Sequence, residues 1–169
     1  MDLHMMPDSS PAPHGTPSPH GALNPHSAPA PGTIPANEDE PVPPFAYPIT
    51  VGADAIDELN HVNNAVYLTW VQAAITAFWE ATAPDDYVGK LAWVAYRHDI
   101  TYRREALLGD ALVAEVKVVS FGGSRSNFEV RFRRSEDVIA EVKTTLCCID
   151  RETRALFRIK DDLARHFRA

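Results

Sequence analysis

Cysteine is almost missing from this chain: its 169 residues include only Cys147 and Cys148, which are neighbours. Adjacent residues of a strand point to opposite faces of a sheet, so the pair does not indicate a disulfide framework. Long apolar runs are missing too, since none approaches the roughly 20 residues that a membrane-spanning helix needs. The sequence therefore predicts a protein of the cytoplasm with no membrane partner.

Lysine and arginine are absent from residues 1–44, which hold twelve of the 14 prolines and four of the seven histidines. Such a segment buries too little apolar surface to offset the entropy lost on ordering. We therefore predict a disordered tail at 1–44 and one folded domain at 45–169. The tail lacks the basic and apolar parts of a secretory signal, and its histidines lack ligand spacing, so we expect neither secretion nor a metal site.

Positive charge is scarce overall, with a formal net charge of −7. Five of the 23 acidic residues lie in the tail, which leaves 18 acidic and 16 basic residues in the domain. A near-neutral domain has no broad basic surface for nucleic acid, so we expect no nucleic-acid partner.

Apolar residues fill most positions of 66–79, and Pro84 follows. This pattern predicts one long helix from 66 to about 81, buried on most sides, with Asn63 or Asn64 as its N-cap. Alternating apolar residues predict five strands, at 47–54, 93–102, 111–120, 127–133 and 138–149, and residues 161–167 predict a short helix. In the second strand the apolar residues share one parity: Val94, Tyr96, Ile100 and Tyr102.

The order is one strand, one long helix and four strands. Consecutive strands with short links form an antiparallel sheet, and the helix can lie against one face of it, which is an α+β arrangement. An open sheet edge on a domain of this size favours pairing of two copies.

The most informative run is DELNHVNNAVY at residues 57–67. It is similar to the D-x-x-x-H-V-N-N-x-x-Y signature of hotdog-fold thioesterases, the group that includes 4-hydroxybenzoyl-CoA thioesterase, small bacterial acyl-CoA thioesterases and plant acyl-ACP thioesterases. The resemblance extends over about residues 47–167. It implies a hotdog fold, in which an antiparallel sheet wraps around one central helix, and a homodimer or homotetramer with active sites between subunits.

Asp57 is the residue that the resemblance makes catalytic, as a general base for water or as a nucleophile. The alternative is an Asx-turn residue that only shapes the loop. His61 matches a histidine with a catalytic or supporting part in the plant enzymes, or it only orients the loop. The resemblance assigns the carbonyl-polarising backbone N–H to Asn64. It also places Asn63 and Tyr67 among the substrate-binding residues, although Asn63 is also a candidate cap or loop clamp.

Glu105 ends a Tyr-Arg-Arg-Glu segment at 102–105 that resembles one in the plant enzymes, where the glutamate is proposed to assist catalysis. The alternative is a solvated glutamate at a strand end. Ser124, Arg125 and Ser126 resemble a strand entry close to the partner subunit's thioester-binding region, or they are turn residues. Coenzyme A also needs cations for its phosphates, and the candidates include most of the basic residues of the later strands: Arg103, Arg104, Arg125, Arg131, Arg133, Arg134, Arg158 and Lys160.

These observations predict a thioesterase that hydrolyses an acyl-CoA or acyl-ACP substrate without a cofactor or metal. Two alternatives stay open. One is a hydratase or dehydratase of the same fold, whose D-x-x-x-x-H spacing is one residue longer than the spacing of Asp57 and His61. The other is a non-catalytic protein that binds acyl thioesters.

Overall fold

The computed structural model describes residues 43–167. The predicted disordered tail lies outside the described residues, apart from Pro43 and Pro44. The strands are β1 (Phe45–Thr50), β2 (Leu91–Tyr102), β3 (Ala111–Gly122), β4 (Arg125–Arg134) and β5 (Asp137–Asp150). The helices are α1 (Val66–Thr82), α2 (Asp85–Val88) and α3 (Asp161–Arg165). All five predicted strands and both predicted helices are present, whereas the one-turn α2 was not predicted.

The first strand ends earlier than the predicted 47–54. Beyond Thr50, the backbone of Val51 still bonds to the chain before β3, since its N–H donates to Asp110 O at 2.9 Å and its carbonyl oxygen accepts the Gly109 N–H at 3.0 Å. The chain then closes a single 3₁₀ turn at Ala53–Ala55, in which Ala55 N–H donates to Gly52 O at 3.1 Å. This turn redirects the chain towards the loop that precedes α1.

The strands form one antiparallel sheet in the order β1-β3-β4-β5-β2, so the α+β prediction is confirmed. Helix α1 lies against one face and buries one stripe of side chains: Tyr67, Val71, Ala74, Ile75, Phe78 and Trp79. The prediction that α1 is buried on most sides is wrong for the single chain, because Leu68 and Gln72 are exposed on the opposite side.

The two faces of the sheet differ completely. Strand β4 buries Phe128, Val130 and Phe132 beneath α1 and exposes the alternate residues. On the outer face, charges alternate in sign across the strands in two neighbouring rows: Lys117–Glu129–Lys143–Asp99 and Glu115–Arg131–Glu141. Opposite charges across adjacent strands stabilise the pairing modestly, so this face is a solvated, self-neutralised surface.

Strand β2 forms one edge of the sheet and contains a bulge at Tyr96, between the pairs Ala95–Leu146 and Arg97–Thr145. The extra residue reverses the side-chain parity, so the predicted single parity of its apolar residues is not kept along the strand. Trp93 before the bulge and Ile100 after it both pack against the core. Val94 is 46% exposed and Tyr96 is 62% exposed. A long edge with exposed apolar residues is a template for pairing with another chain.

Within residues 43–167, no helix has both the length and the apolar character that a membrane crossing requires.

Candidate active site

The loop before α1 is a tight turn that brings Asp57 opposite His61. Asp57 N–H donates to His61 O at 3.0 Å, and Asn60 N–H donates to Asp57 O at 3.1 Å. Asn60 has a φ of 63°, a left-handed conformation that asparagine tolerates better than most residues. The flanking residues Ile56 and Val62 form an isolated β-bridge. The backbone therefore fixes the separation of the carboxylate and the imidazole.

Two backbone hydrogen bonds attach this turn to the domain. Val62 N–H donates to Ala106 O at 2.9 Å, and Asn63 N–H donates to Ala55 O at 2.9 Å. Ala106 belongs to the 103–110 connection between β2 and β3 and is buried. The two segments that contain the predicted catalytic residues are thus hydrogen-bonded neighbours.

The two oxygens of the Asp57 carboxylate have different surroundings. Oδ1 accepts the Leu59 N–H at 2.9 Å, which is the Asx-turn bond. Oδ2 lies 3.6 Å from His61 Nδ1, and that nitrogen also lies 3.3 Å from Val62 O. The side chains of His61 and Asp57 are 23% and 20% exposed. One carboxylate oxygen therefore shapes the turn, while the other lies beside an imidazole and is partly open to solvent.

Helix α1 begins at Val66, so Ala65 is the N-cap and not Asn63 or Asn64 as predicted. Asn63 nonetheless acts as the predicted loop clamp, because its Oδ1 accepts the Ala65 N–H at 2.9 Å. Its carbonyl oxygen accepts the Val66 N–H at 3.0 Å. Asn64 is exposed, and within residues 43–167 its backbone N–H has no hydrogen-bond acceptor. A free N–H at a helix start is suited to polarise a carbonyl group.

Tyr67 is 2% exposed and lies at the base of α1. Its ring packs edge-on against Trp70, Tyr102 and Phe132, with centroid separations of 5.3, 5.4 and 5.2 Å. Burial raises the pKa of Tyr67 to about 12. The predicted substrate-binding residue is therefore a neutral phenol enclosed by other rings.

Sequence reasoning missed the part of Tyr102 in this site. Its hydroxyl donates to Asn64 O at 3.0 Å across 38 residues of chain. Residue spacing contains no signal for this contact, since it depends on β2 ending beside the start of α1. The Tyr-Arg-Arg-Glu resemblance drew attention to the segment without identifying its tyrosine.

Glu105 lies in the 103–110 connection, and its side chain is exposed with no hydrogen bond or ion pair among the described residues. An ion pair of 2.6 Å between Arg134 of β4 and Asp110 fixes the end of this connection. Asp110 also accepts the Leu107 N–H at 2.8 Å, and this bond together with Arg134 lowers the pKa of its carboxyl group. The structure thus places Glu105 next to Ala106, which bonds to the Asp57 turn, while Glu105 itself makes no hydrogen bond or ion pair with that turn within residues 43–167.

Ser124, Arg125 and Ser126 lie at the opposite end of the sheet. Ser124 O accepts the Cys148 N–H at 2.8 Å. Ser126 is fully buried, and its hydroxyl has no hydrogen-bond partner among residues 43–167. The Arg125 guanidinium lies 4.4 Å from the centroid of the Tyr96 ring. Within one chain, the structure does not bring these residues together with Asp57.

The separation follows from strand register. Tyr102 is paired with Ala140, whereas Arg125 is joined through Cys147 to Val94. Val94 and Tyr102 are eight residues apart on β2, a distance of about 25 Å at the rise of an extended strand.

Most of the candidate phosphate-binding cations already have carboxylate partners: Arg103 and Arg131 with Glu141, Arg104 with Asp137, Arg133 with Glu115 and Glu136, and Arg134 with Asp110. Three candidates, Arg125, Arg158 and Lys160, have no ion pair with the described residues. Arg158 and Lys160 flank Ile159, whose N–H donates to Gly123 O at 2.8 Å. All three cations therefore lie near the β3–β4 hairpin. We call them the hairpin cations.

Within the described part of the chain, no three His, Cys, Asp or Glu side chains are grouped to hold a metal ion.

Comparison with known proteins identifies the family of the chain. The family model of the thioesterase-like superfamily matches residues 51–167. Long-chain acyl-CoA thioesterase FadM of Escherichia coli K12 is 26% identical over 115 residues, which cover 64% of this chain and 85% of that protein.

Solved structures show the same fold. The probable thioesterase YbaW from Escherichia coli aligns with a TM-score of 0.62 at 24% identity, over 74% of this chain and 99% of that one. A thioesterase from Thermus thermophilus, complexed with coenzyme A and Zn, aligns with a TM-score of 0.66 at 26% identity, over 76% and 100% of the two chains. The sheet and its long helix thus form a hotdog fold, as the signature predicted. The chain belongs to the thioesterase-like superfamily.

Proposed function

We propose that this protein is an acyl-CoA thioesterase. Water adds to the thioester carbonyl carbon, the carbon–sulfur bond breaks, and the products are a carboxylic acid and the free thiol of coenzyme A. The proton lost by water is transferred to the leaving thiolate, so the reaction needs no redox partner or cofactor. Membership of the superfamily and the similarity to FadM support this class of reaction.

The observation that carries the proposal is the combination of the Asp57 carboxylate and an unbonded N–H at the start of α1. Oδ2 of Asp57 is not used by the turn, so it can accept a proton from water or attack the thioester carbon directly. The Asn64 N–H has no acceptor among residues 43–167, so it can donate to the carbonyl oxygen as negative charge develops there. Together they supply an activated oxygen and a polarised carbonyl.

His61 and Glu105 have supporting parts in this proposal. His61 Nδ1 lies 3.6 Å from Asp57 Oδ2, so the imidazole orients the carboxylate and the turn. Glu105 has an exposed side chain on the neighbouring segment. In this proposal its charge acts on the site from a distance, without direct contact with the substrate.

The hairpin cations are suited to the phosphates of coenzyme A, because guanidinium and ammonium groups without a carboxylate partner are free to bind them. They lie about 25 Å from the Tyr102 end of the same chain, by the strand rise used above. We therefore propose a homodimer in which two β2 edges pair antiparallel about a two-fold axis near His98. In that arrangement Tyr102 of one copy faces the Val94 region of the other, and a complete site combines Asp57 with the hairpin cations of the second copy.

The experiment is a thiol-release assay over a panel of aliphatic and aromatic acyl-CoAs, with an acyl-ACP as the comparison carrier. We expect turnover of at least one acyl-CoA and weaker turnover of the matching acyl-ACP. An absence of thiol release from every acyl-CoA, with folded dimeric protein, would reject the proposed activity. Sedimentation showing an active monomer at micromolar concentration would reject the shared site.

A further inference from the structure

One peptide group at the start of α1 is held at both ends. The Asn64 carbonyl oxygen accepts the Tyr102 hydroxyl at 3.0 Å, and the Ala65 N–H of the same peptide donates to Asn63 Oδ1 at 2.9 Å. Asn63 also accepts the Val66 N–H through its carbonyl oxygen at 3.0 Å. The peptide group before this one contains the Asn64 N–H, which has no acceptor within residues 43–167.

The two residues that bind this peptide group, Asn63 and Tyr102, come from different parts of the chain. Asn63 acts locally, through an Asx turn of its own loop. Tyr102 acts from the end of β2, and its hydrogen bond ties this peptide to a distant part of the chain. A carbonyl oxygen can only accept a hydrogen bond, so the direction of donation from Tyr102 is fixed.

The phenol ring of Tyr102 is 43% exposed and packs on its inner side against Tyr67. It lies edge-on to Tyr67 at 5.4 Å, and Tyr67 packs in turn against Phe132 at 5.2 Å. Partial burial raises the pKa of Tyr102, so its hydroxyl keeps its proton at neutral and mildly alkaline pH. The Asn64 carbonyl is thereby connected to the rigid sheet through one ring and one hydrogen bond.

We propose that Tyr102 is a positioning residue for catalysis: its hydroxyl fixes the Asn64 peptide so that the Asn64 N–H stays directed at the thioester carbonyl oxygen. This inference rests on the proposed thioesterase function. The two peptide groups share the Asn64 Cα, so backbone motion that follows release of the Asn64 carbonyl can also move the neighbouring N–H, whose own peptide is then held by the Val66 N–H bond to Asn63 O. Loss of an oxyanion donor costs about 10²–10³-fold in kcat. Misalignment of a donor that is still present costs less, and we expect about tenfold.

The test is Tyr102→Phe, which keeps the ring packed on Tyr67 and removes only the hydroxyl. We expect kcat to fall about tenfold while KM changes by less than about twofold, because the donor contributes mainly in the transition state. The matched control is Tyr47→Phe in β1, whose hydroxyl makes no hydrogen bond with the described residues. This control should keep the kcat of the unsubstituted protein.

A double-mutant cycle with Asn63→Ala sharpens the test, since Asn63 holds the other end of the same peptide. If either loss already frees the peptide, the two effects on kcat are not additive. The amide resonance of Asn64 should also shift or broaden in Tyr102→Phe, which reports on position independently of global stability.

Each outcome has a distinct meaning. An unchanged kcat in Tyr102→Phe, with an active unsubstituted protein, would overturn the positioning role and leave the proposed function intact. A rise in KM alone, with kcat unchanged, would also overturn it, and so would additive effects on kcat in the double-mutant cycle. An unsubstituted protein that hydrolyses no acyl-CoA would remove the proposed function and this inference with it.

Discussion

The two ends of β2 have opposite characters. At the Tyr102 end, the neighbouring turn and connection are fixed by backbone hydrogen bonds to the carbonyl oxygens of Ala106 and Ala55. Among residues 43–167, one Asp57 oxygen and the Asn64 N–H are not used by these bonds. At the Val94 end, the distinctive groups are the hairpin cations, with Arg125 stacked on the exposed ring of Tyr96.

In the proposed function the two ends of β2 have separate tasks. Chemistry at a carbonyl requires donors and acceptors held within a fraction of an ångström, which a hydrogen-bonded turn at a helix start provides. Binding of phosphates tolerates looser geometry, since long cationic side chains adjust to a charged group. Antiparallel pairing of two β2 edges would place the Tyr102 end of each chain beside the Val94 end of the other. Each site of such a dimer would contain both ends, although a single chain keeps them apart.

The largest expected effect is at the Tyr102 end of β2, where the proposed catalytic groups lie. Asp57→Asn keeps the size of the side chain and the Asx-turn acceptor and removes the charge that, in our proposal, activates water. We expect kcat/KM to fall about 10²–10⁴-fold with little change in melting temperature. His61→Ala should cost less, because the imidazole orients the turn, and Glu105→Gln should cost least, because its side chain is exposed.

Steady-state kinetics with thermal melting of all three variants checks this order. Full activity of a folded Asp57→Asn protein would end the proposed mechanism. An acyl-enzyme trapped with a slow substrate would identify Asp57 as the nucleophile, whereas a general base forms none.

The second effect concerns the Val94 end of β2, where the hairpin cations lie. Replacing Arg125, Arg158 and Lys160 by glutamine should raise KM for an acyl-CoA about tenfold and leave kcat nearly unchanged, because lost phosphate contacts weaken ground and transition states equally. The control replaces Lys117, Arg131 and Lys143 of the outer sheet face by glutamine, which removes the same charge. Equal KM values for the two triple variants would show that only net charge matters.

A smaller effect concerns the ion pair between Asp110 and Arg134, which stabilises the connection beside the Tyr102 end of β2. Asp110→Asn removes a charge-assisted pair with Arg134 and weakens the bond to Leu107 N–H, so we expect a loss of about 1–3 kcal/mol in the free energy of unfolding. The folded-state pKa of Asp110 is lowered, so its contribution is present above the unfolded carboxyl pKa of about 4 and is lost as pH falls through the folded value.

Denaturant unfolding of both proteins at pH 7 and at pH 3 measures this contribution. The stability difference should shrink at the lower pH. A difference that is equal or larger at pH 3 would contradict the assignment to an ionised Asp110.

The smallest expected effect is that of the tail. Both ends of β2 are built from residues after Pro44, so deletion of residues 1–44 should leave the melting temperature and kcat/KM nearly unchanged. Melting curves and thiol release for the shortened protein check this prediction. A collapse of the melting transition would show that the tail packs on the domain.

The sequence predicted the fold well because the informative patterns are local. Alternation in β4 and the apolar run of α1 each reflect burial on one side of an element, and short links dictate antiparallel pairing. The bulge at Tyr96 was missed because one extra residue leaves no mark in composition, and it reversed the parity of half of β2.

The site was predicted in part for the same reason. The Asp57–Asn64 turn is contiguous, so a signature identified its residues together. The bond from Tyr102 to Asn64 joins residues 38 apart and arises only when the sheet is assembled. The hairpin cations were not distinguished from the other basic residues, because strand register, and not sequence distance, determines which basic residues have a carboxylate partner.

A mixed dimer tests the shared site most directly. The Asp57→Asn chain and the triple hairpin-cation variant are co-expressed with different tags, and kcat/KM is measured for the mixture and for each parent. On random mixing about half of the dimers are mixed, and each contains one site with both Asp57 and the cations intact, so the mixture should recover about a quarter of the unsubstituted activity. Activity no higher than the average of the two parent variants would contradict a site assembled from both chains.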